Sequence, residues 1–286
     1  MIIKFRERLS LAPTADIQAI AKHHCGKKTK AIHKTAITST KPAIIVVASL
    51  AIKMTKPLIT VLLPTRKRTA MVKKSITTIL ELAADPSRLH IAIAYDSDDA
   101  ESETYFGSNE WKLLVENTSA TQVVYKIERQ GWMELHEYYN HLAQNSNSDW
   151  YLIWNDDAFM QTQGWDQEIY DNKDYQGLIS MESNGKRPDS TLFPCVSKQW
   201  VDTFNMIGMN PVDQWIQDIT YEIGCYKTIN AKIFHDHFQF TGNNNDEVYQ
   251  ETSKNKKFTK RAYKTIEMAE LKQSWIAQWK EVLDAK

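Results

Sequence analysis

Residues 150–169, WYLIWNDDAFMQTQGWDQEI, are the stretch on which the reading of the fold turns. Trp150–Trp154 is an apolar run of strand length, stopped by the polar triplet Asn155-Asp156-Asp157. Two earlier runs end in the same way. Leu58–Leu63 (LITVLL) stops at Pro64-Thr65-Arg66, and His90–Tyr95 (HIAIAY) stops at Asp96-Ser97-Asp98-Asp99. A shorter strand is expected over Gln122–Lys126. Helical spacing fills the intervals, over Met71–Ala84 and Trp132–Gln144. Strands alternating with helices predict an α/β fold with a mostly parallel sheet and helices on both faces. Sheets of that kind bind ligands at the carboxyl ends of their strands. Three polar strand ends therefore point to one shared site.

Hard divalent cations such as Mg²⁺ and Mn²⁺ take oxygen ligands, commonly one or two carboxylates plus phosphate oxygens. Asp156 and Asp157 at a strand end suit that chemistry, although Asn and Asp also suit a plain turn. Further along, Ile233-Phe-His235-Asp-His237 reads as a strand running into two histidines. Alternation along a strand keeps His235 and His237 from sharing one ion unless the strand breaks there.

Composition excludes several function classes. The chain has 286 residues, 42% of them hydrophobic and 24% charged, as in an ordinary soluble globular protein. Residues 1–56 carry 11 Lys/Arg against two acids, which leaves a net charge of −9 on the other 230 residues. An acidic body argues against nucleic acid as the main partner. Three scattered cysteines give neither a zinc pattern nor a disulfide framework, which favours a cytoplasmic setting. The longest apolar stretch, Ala43–Ile52, is about half the ~20 residues a membrane helix needs. Residues 1–55 read as a basic extension, or as a tail for an acidic or membrane surface. Residues 56–286 read as the functional domain.

WNDDAFMQTQGWDQEI resembles the segment of family 2 glycosyltransferases in which a strand ends in a DxD-type triplet and a Gly-Trp follows, here Gly164-Trp165. Asn155 stands where that family has its first Asp. The opening strand with Pro64, Thr65 and Arg66, the acidic loop with Asp96 and Asp98, and Arg129-Gln-Gly131 followed by Asn140 are similar to the family's nucleotide-binding segments. The resemblance implies a GT-A (Rossmann-like) fold with a nucleotide-binding half, 56–176, and an acceptor half, 177–286. It implies that Asn155 and Asp156 face ribose or diphosphate. Asp157, with His235 or His237, would hold Mn²⁺ or Mg²⁺. A nucleoside-diphosphate sugar, with UDP as the expected nucleotide, would be donor, and a hydroxyl on a glycan, protein, lipid or modified base would be acceptor. Transfer would invert the anomeric centre, with Asp213 as general base and Asp218 as second candidate. Asp213 also suits an N-cap for a helix over Trp215–Ile223.

Two rival readings stand beside this one. A nucleotidyltransferase would usually carry a Gly-rich loop after the first strand, and Pro64-Thr-Arg-Lys-Arg68 has no glycine. A sugar-binding protein that kept the fold but lost the chemistry would account for Asn155. A nucleophile elbow and a His-Glu-x-x-His motif are both missing from the sequence, which counts against a classical hydrolase.

Overall fold

The computed structural model describes residues 56–185, 191–251, 253–254 and 263–285. The expected basic extension and most of the Lys-rich stretch 254–264 lie outside the described residues. Four strands, β1 (Ile59–Thr65), β2 (Leu89–Asp96), β3 (Thr121–Ile127) and β4 (Trp150–Ile153), pair in parallel in the order β3-β2-β1-β4. The helices α1 (Thr69–Glu81), α2 (Ala100–Phe106), α3 (Asn109–Glu116) and α4 (Leu135–Gln144) connect them. All four strands point their carboxyl ends to one edge, where the polar clusters collect.

Beyond β4 the chain forms β5 (Ala158–Met160), α5 (Trp165–Asp171), β6 (Leu178–Ser183), β7 (Cys195–Ser197), α6 (Lys198–Phe204), α7 (Val212–Ile223), β8 (Tyr226–His235), α8 (Phe238–Thr241) and α9 (Ile266–Asp284). These strands extend the sheet as β4-β7-β6-β8-β5. Strand β7 runs antiparallel to both neighbours, β5 runs antiparallel to β8, and β6 pairs with β8 in parallel. The eight-stranded sheet is thus mixed, and its antiparallel pairings all lie past β4.

Each face of the sheet carries its own core, because side chains alternate along a strand. Ile59, Val61 and Leu63 of β1 pack with Val72, Ile76 and Ile79 of α1, Trp111 of α3 and Trp165 of α5. Leu62 faces the other way, into a core with Tyr139 of α4, Trp200 of α6, Trp215 of α7 and Trp275 and Trp279 of α9. Where β6 begins, the backbone of Gly177 lies so close to β8 that a Cβ on it would sit 2.1 Å from the Cys225 carbonyl oxygen. Gly177→Ala must push these strands apart. We expect a loss at the upper end of the ~1–3 kcal/mol typical of overpacking, read from urea unfolding curves.

The Gly-Trp dipeptide locks this architecture. Gly164 adopts φ +74°, a conformation L side chains rarely tolerate, and its N–H donates to Leu82 O at 2.7 Å. Trp165 is fully buried, and its Nε1–H donates to Ile79 O at 3.0 Å. Asp166, also fully buried, accepts from the backbone N–H groups of Ala84 and Asp85 at 2.5 and 3.1 Å. Together they tie α5 to the end of α1.

Candidate functional site

The strand ends open onto a cavity of about 410 Å³ lined by Pro64, Thr65, Arg66, Arg68, Asp96, Arg129, Asn155, Asp156, Asp157, Asp213, His235 and His237, among others. Eleven of these twelve were singled out from sequence; Arg68 was not. Three of the expected site residues do not line it. Asp98 is half exposed and forms an ion pair with Arg66 at 2.5 Å. Asn140 is buried and holds the 207–208 backbone, accepting from Ile207 N at 2.8 Å. Asp218 is engaged elsewhere: Tyr263 donates to it at 2.7 Å, Lys272 of α9 at 2.5 Å, and Gln214 also donates to it.

The triplet is set by a buried hydrogen-bond chain. Trp154 Nε1–H donates to Ser75 Oγ at 2.7 Å, and Ser75 donates to Ala158 O at 2.7 Å, bracketing Asn155-Asp156-Asp157 from both sides. Ser75→Ala would strand both groups in a dry core. A loss of about 1–3 kcal/mol is expected, read as a lower thermal midpoint. Asn155 accepts from the buried hydroxyl of Tyr139 at 2.9 Å. An amide there spares the site a further charge beside Asp156, Asp157 and Asp213.

Asp156 accepts from Thr65 Oγ1 at 2.9 Å and from Arg68 Nη1 at 3.0 Å. Burial pushes its carboxyl up to about 6, against the pull of Arg68 and with the push of Asp157. Asp157 responds in the opposite sense. Burial pushes it up, yet the hydrogen bond and charge of His235 and the charge of Arg68 hold it below the usual carboxylate range. His235 Nε2 lies 3.0 Å from Asp157 Oδ1. Its Nδ1 has no hydrogen-bond partner, so Nε2 is the nitrogen engaged with the carboxylate. Strand β8 breaks immediately after His235, and His237 becomes the cap of α8. The two imidazole centroids come to lie 5.2 Å apart.

The separation of Asp157 and His235 is one at which both can ligate a single divalent ion at about 2.1 Å. The donor set of carboxylate plus imidazole suits Mn²⁺. His237 is less closely drawn in. Among the described residues, the one group with three ligand atoms all within 4.8 Å of each other is Glu134, His136 and Glu137, at the start of α4. The Asp157–His235 pair therefore has the spacing and the donor chemistry to fit a divalent metal.

Arg66 and Asp96 pair at 2.8 Å, and Tyr138 also donates to Asp96. Arg129 lies 3.9 Å from Asp96. Asp213, which also lines the cavity, sits in the first turn of α7, whose N-cap is Pro211, so it does not cap that helix. Burial pushes the Asp213 carboxyl up, which suits a group that takes a proton. Tyr139 is held far above its ordinary value by burial and by the nearby Asp213, Asp156 and Asp157 charges.

Sequence reading singled out neither Arg68 nor Glu251. Arg68 had a signal: it follows Arg66 by two residues, and Lys67 between them turns the chain with φ 53°. Its guanidinium grips Asp246 through Nε at 2.7 Å and Nη2 at 2.8 Å. Asp246 comes from a segment 178 residues away.

No protein-family model and no curated protein matches the chain. Solved structures do. The mannosyltransferase PcManGT of Pyrobaculum calidifontis, in complex with GDP-Man and Mn²⁺, is similar over 63% of this chain and 57% of its own, with 13% identity and a TM-score of 0.48. This chain thus spans less than two thirds of that protein. Residues 1–349 of S. aureus TarS, in complex with UDP-GlcNAc, are similar over 78% of this chain and 71% of that one, with 8% identity and a TM-score of 0.50. The same TarS segment with UDP covers 73% and 72%, again at 8% identity, with a TM-score of 0.49. Identities this low speak of architecture, and by its mixed sheet flanked by helices and its likeness to TarS the chain has the GT-A fold of glycosyltransferases.

Proposed function

We propose that this protein is a metal-dependent, inverting glycosyltransferase that moves a sugar from a nucleoside-diphosphate sugar, with UDP the expected nucleotide, onto an acceptor hydroxyl. The observation that carries the reading is one cavity lined by strand-end Asp157, paired with His235, by Arg66, Arg68 and Arg129, and by Asp213. Clustered guanidinium groups suit a diphosphate, and a proton-seeking carboxylate suits an acceptor hydroxyl. We assign Asp96 to the base or ribose, where an acid already fixed by Arg66 and Tyr138 accepts hydrogen bonds from flat polar edges.

Asp157 and His235 would hold Mn²⁺ or Mg²⁺, which when bound neutralises charge on the leaving nucleoside diphosphate. Arg66 and Arg68 add fixed positive charge to the same cavity. Asp213 receives the acceptor proton as the hydroxyl oxygen attacks the anomeric carbon, and it then carries that proton as a neutral acid. Desolvation eases that change, because it favours the neutral form. Asp218, satisfied by Lys272, Tyr263 and Gln214, is set aside as base.

A donor-hydrolysis assay across nucleotide sugars, with and without EDTA, tests the reading. Metal-dependent release of a nucleoside diphosphate from one donor is expected. Binding without release by every donor would point to the sugar-binding protein instead.

A further inference from the structure

Three acids in one short segment each engage a cation of the nucleotide-binding half. Asp246 makes the two-pronged pair with Arg68 at 2.7 and 2.8 Å. Glu247 lies 3.1 Å from Lys67, and Glu251 lies 2.8 Å from Arg129. Arg68, Arg129 and Glu251 all line the cavity, and so does Tyr249 between the acids. The segment is tethered at its base, where the Tyr249 ring packs on Phe238 at 4.8 Å and on His237 at 5.2 Å. Gly242 and Asn244, both at positive φ, form the bend that leads into it.

Arg68 has more carboxylate around it than one guanidinium can neutralise. Its side chain is only 10% exposed and faces Asp156, Asp157 and Asp246 at 3.0, 3.7 and 2.7 Å. Two of the three belong to the strand-end triplet and are fixed by the fold. The third arrives on a surface segment with a third of its side chain exposed. A planar fork that accepts a carboxylate through two parallel N–H bonds accepts a phosphate in the same way. Asp246 is thus the exchangeable partner.

We propose that Arg68 is a diphosphate-binding residue of the donor site, and that Asp246, with Glu251 beside it on Arg129, occupies in the free protein the place a donor phosphate takes. This rests on the reading that the cavity receives a nucleoside diphosphate. The segment 246–251 is then an internal competitor. Donor enters only the fraction of molecules in which the acids have let go, so apparent affinity falls by that fraction. Displacement frees Arg68 for phosphate without uncovering a buried charge, since Asp246 moves to solvent and Asp156 stays on Arg68.

The test is calorimetric titration of the full chain, with Mn²⁺ present, by two probes: inorganic pyrophosphate, and UDP with GDP as its alternative. Removing an acid that competes with phosphate should tighten pyrophosphate by about tenfold in Asp246→Asn and by less in Glu251→Gln. Arg68→Lys keeps the charge but loses the fork, and it should weaken pyrophosphate by about tenfold. In the double variant with Arg68→Lys, Asp246→Asn should yield little further gain. Thermal midpoints check that each variant is folded, and Glu251→Gln gives a second reading should Asp246→Asn unfold. Unchanged or weaker pyrophosphate binding in Asp246→Asn and Glu251→Gln overturns the proposal, even if UDP binds well. Tighter pyrophosphate binding without any binding of UDP or GDP upholds the competing acids and overturns the nucleotide-sugar reading.

Discussion

Asp157→Ala is expected to lower metal-stimulated sugar transfer by on the order of a thousandfold while leaving the fold in place, because a bound cation supplies several kcal/mol of charge stabilisation. Asp157 is the carboxylate that stays charged. The neighbouring imidazole and guanidinium hold its proton off despite burial, whereas Asp156 is pushed up to about 6. Only a carboxylate that is ionised at neutral pH binds a hard cation well. The substitution spares the local backbone pairing, since the carbonyl of residue 157 accepts from Asp236 N at 2.9 Å whatever the side chain. Circular dichroism and a thermal melt therefore separate loss of chemistry from loss of fold. Full activity in Asp157→Ala would reject the assignment.

Asp213→Asn is expected to lower turnover by about a hundredfold to ten-thousandfold, the usual contribution of a general base, with donor affinity nearly unchanged. Asp213 and the arginines lie on different segments of the cavity lining, so removing the base should not disturb nucleotide binding. The same substitution should raise thermal stability at neutral pH. Burial raises the folded-state value of Asp213 above that of the unfolded chain. The unfolded state therefore releases this proton first. Stability associated with the group is whole below about pH 4, the unfolded value, and is lost as pH rises toward and through the folded value. Asparagine carries no such loss, so the gain over wild type should grow above pH 4 and vanish below it. Melts at several pH values check this, and an unchanged turnover would remove Asp213 from the proposed base role.

Three strands of the first half could be read from the sequence because they are nearly continuous apolar runs buried on both faces, as in LITVLL, HIAIAY and WYLIW. The second half was harder. Strands β5 and β7 have three residues each, too short for any period to register. Strand β8 buries Ile229, Ala231, Ile233 and His235 in strict alternation, but Lys, Thr and Asn on its exposed side mask the run. Sequence reading placed a strand at its carboxyl end, and the structure extends it into one ten-residue strand. The helix expected over Trp132–Gln144 begins with a 3₁₀ turn at Trp132–Glu134 before α4.

The site divides along the same line. Strand-end position made Arg66, Asp96, Asp156 and Asp157 legible, because the sheet delivers whatever follows its strands to one edge. Asn140 looked like a ligand residue, but its amide serves the 207–208 backbone instead. Asp246 and Glu251 meet Arg68 and Arg129 across 178 and 122 residues. Spacing in a single sequence carries no trace of such pairs, and only the folded chain brings them together.

The proposed donor site requires that a divalent cation and a nucleotide sugar bind the cavity together. A thermal-shift panel of nucleotide sugars, each in Mn²⁺ and in EDTA, measures this on the wild-type chain. One donor should raise the melting midpoint by several degrees in Mn²⁺, corresponding to about 2–4 kcal/mol at saturating ligand, and by far less in EDTA. A panel in which no donor shifts the midpoint, or in which the shift is equally large in EDTA, would contradict it.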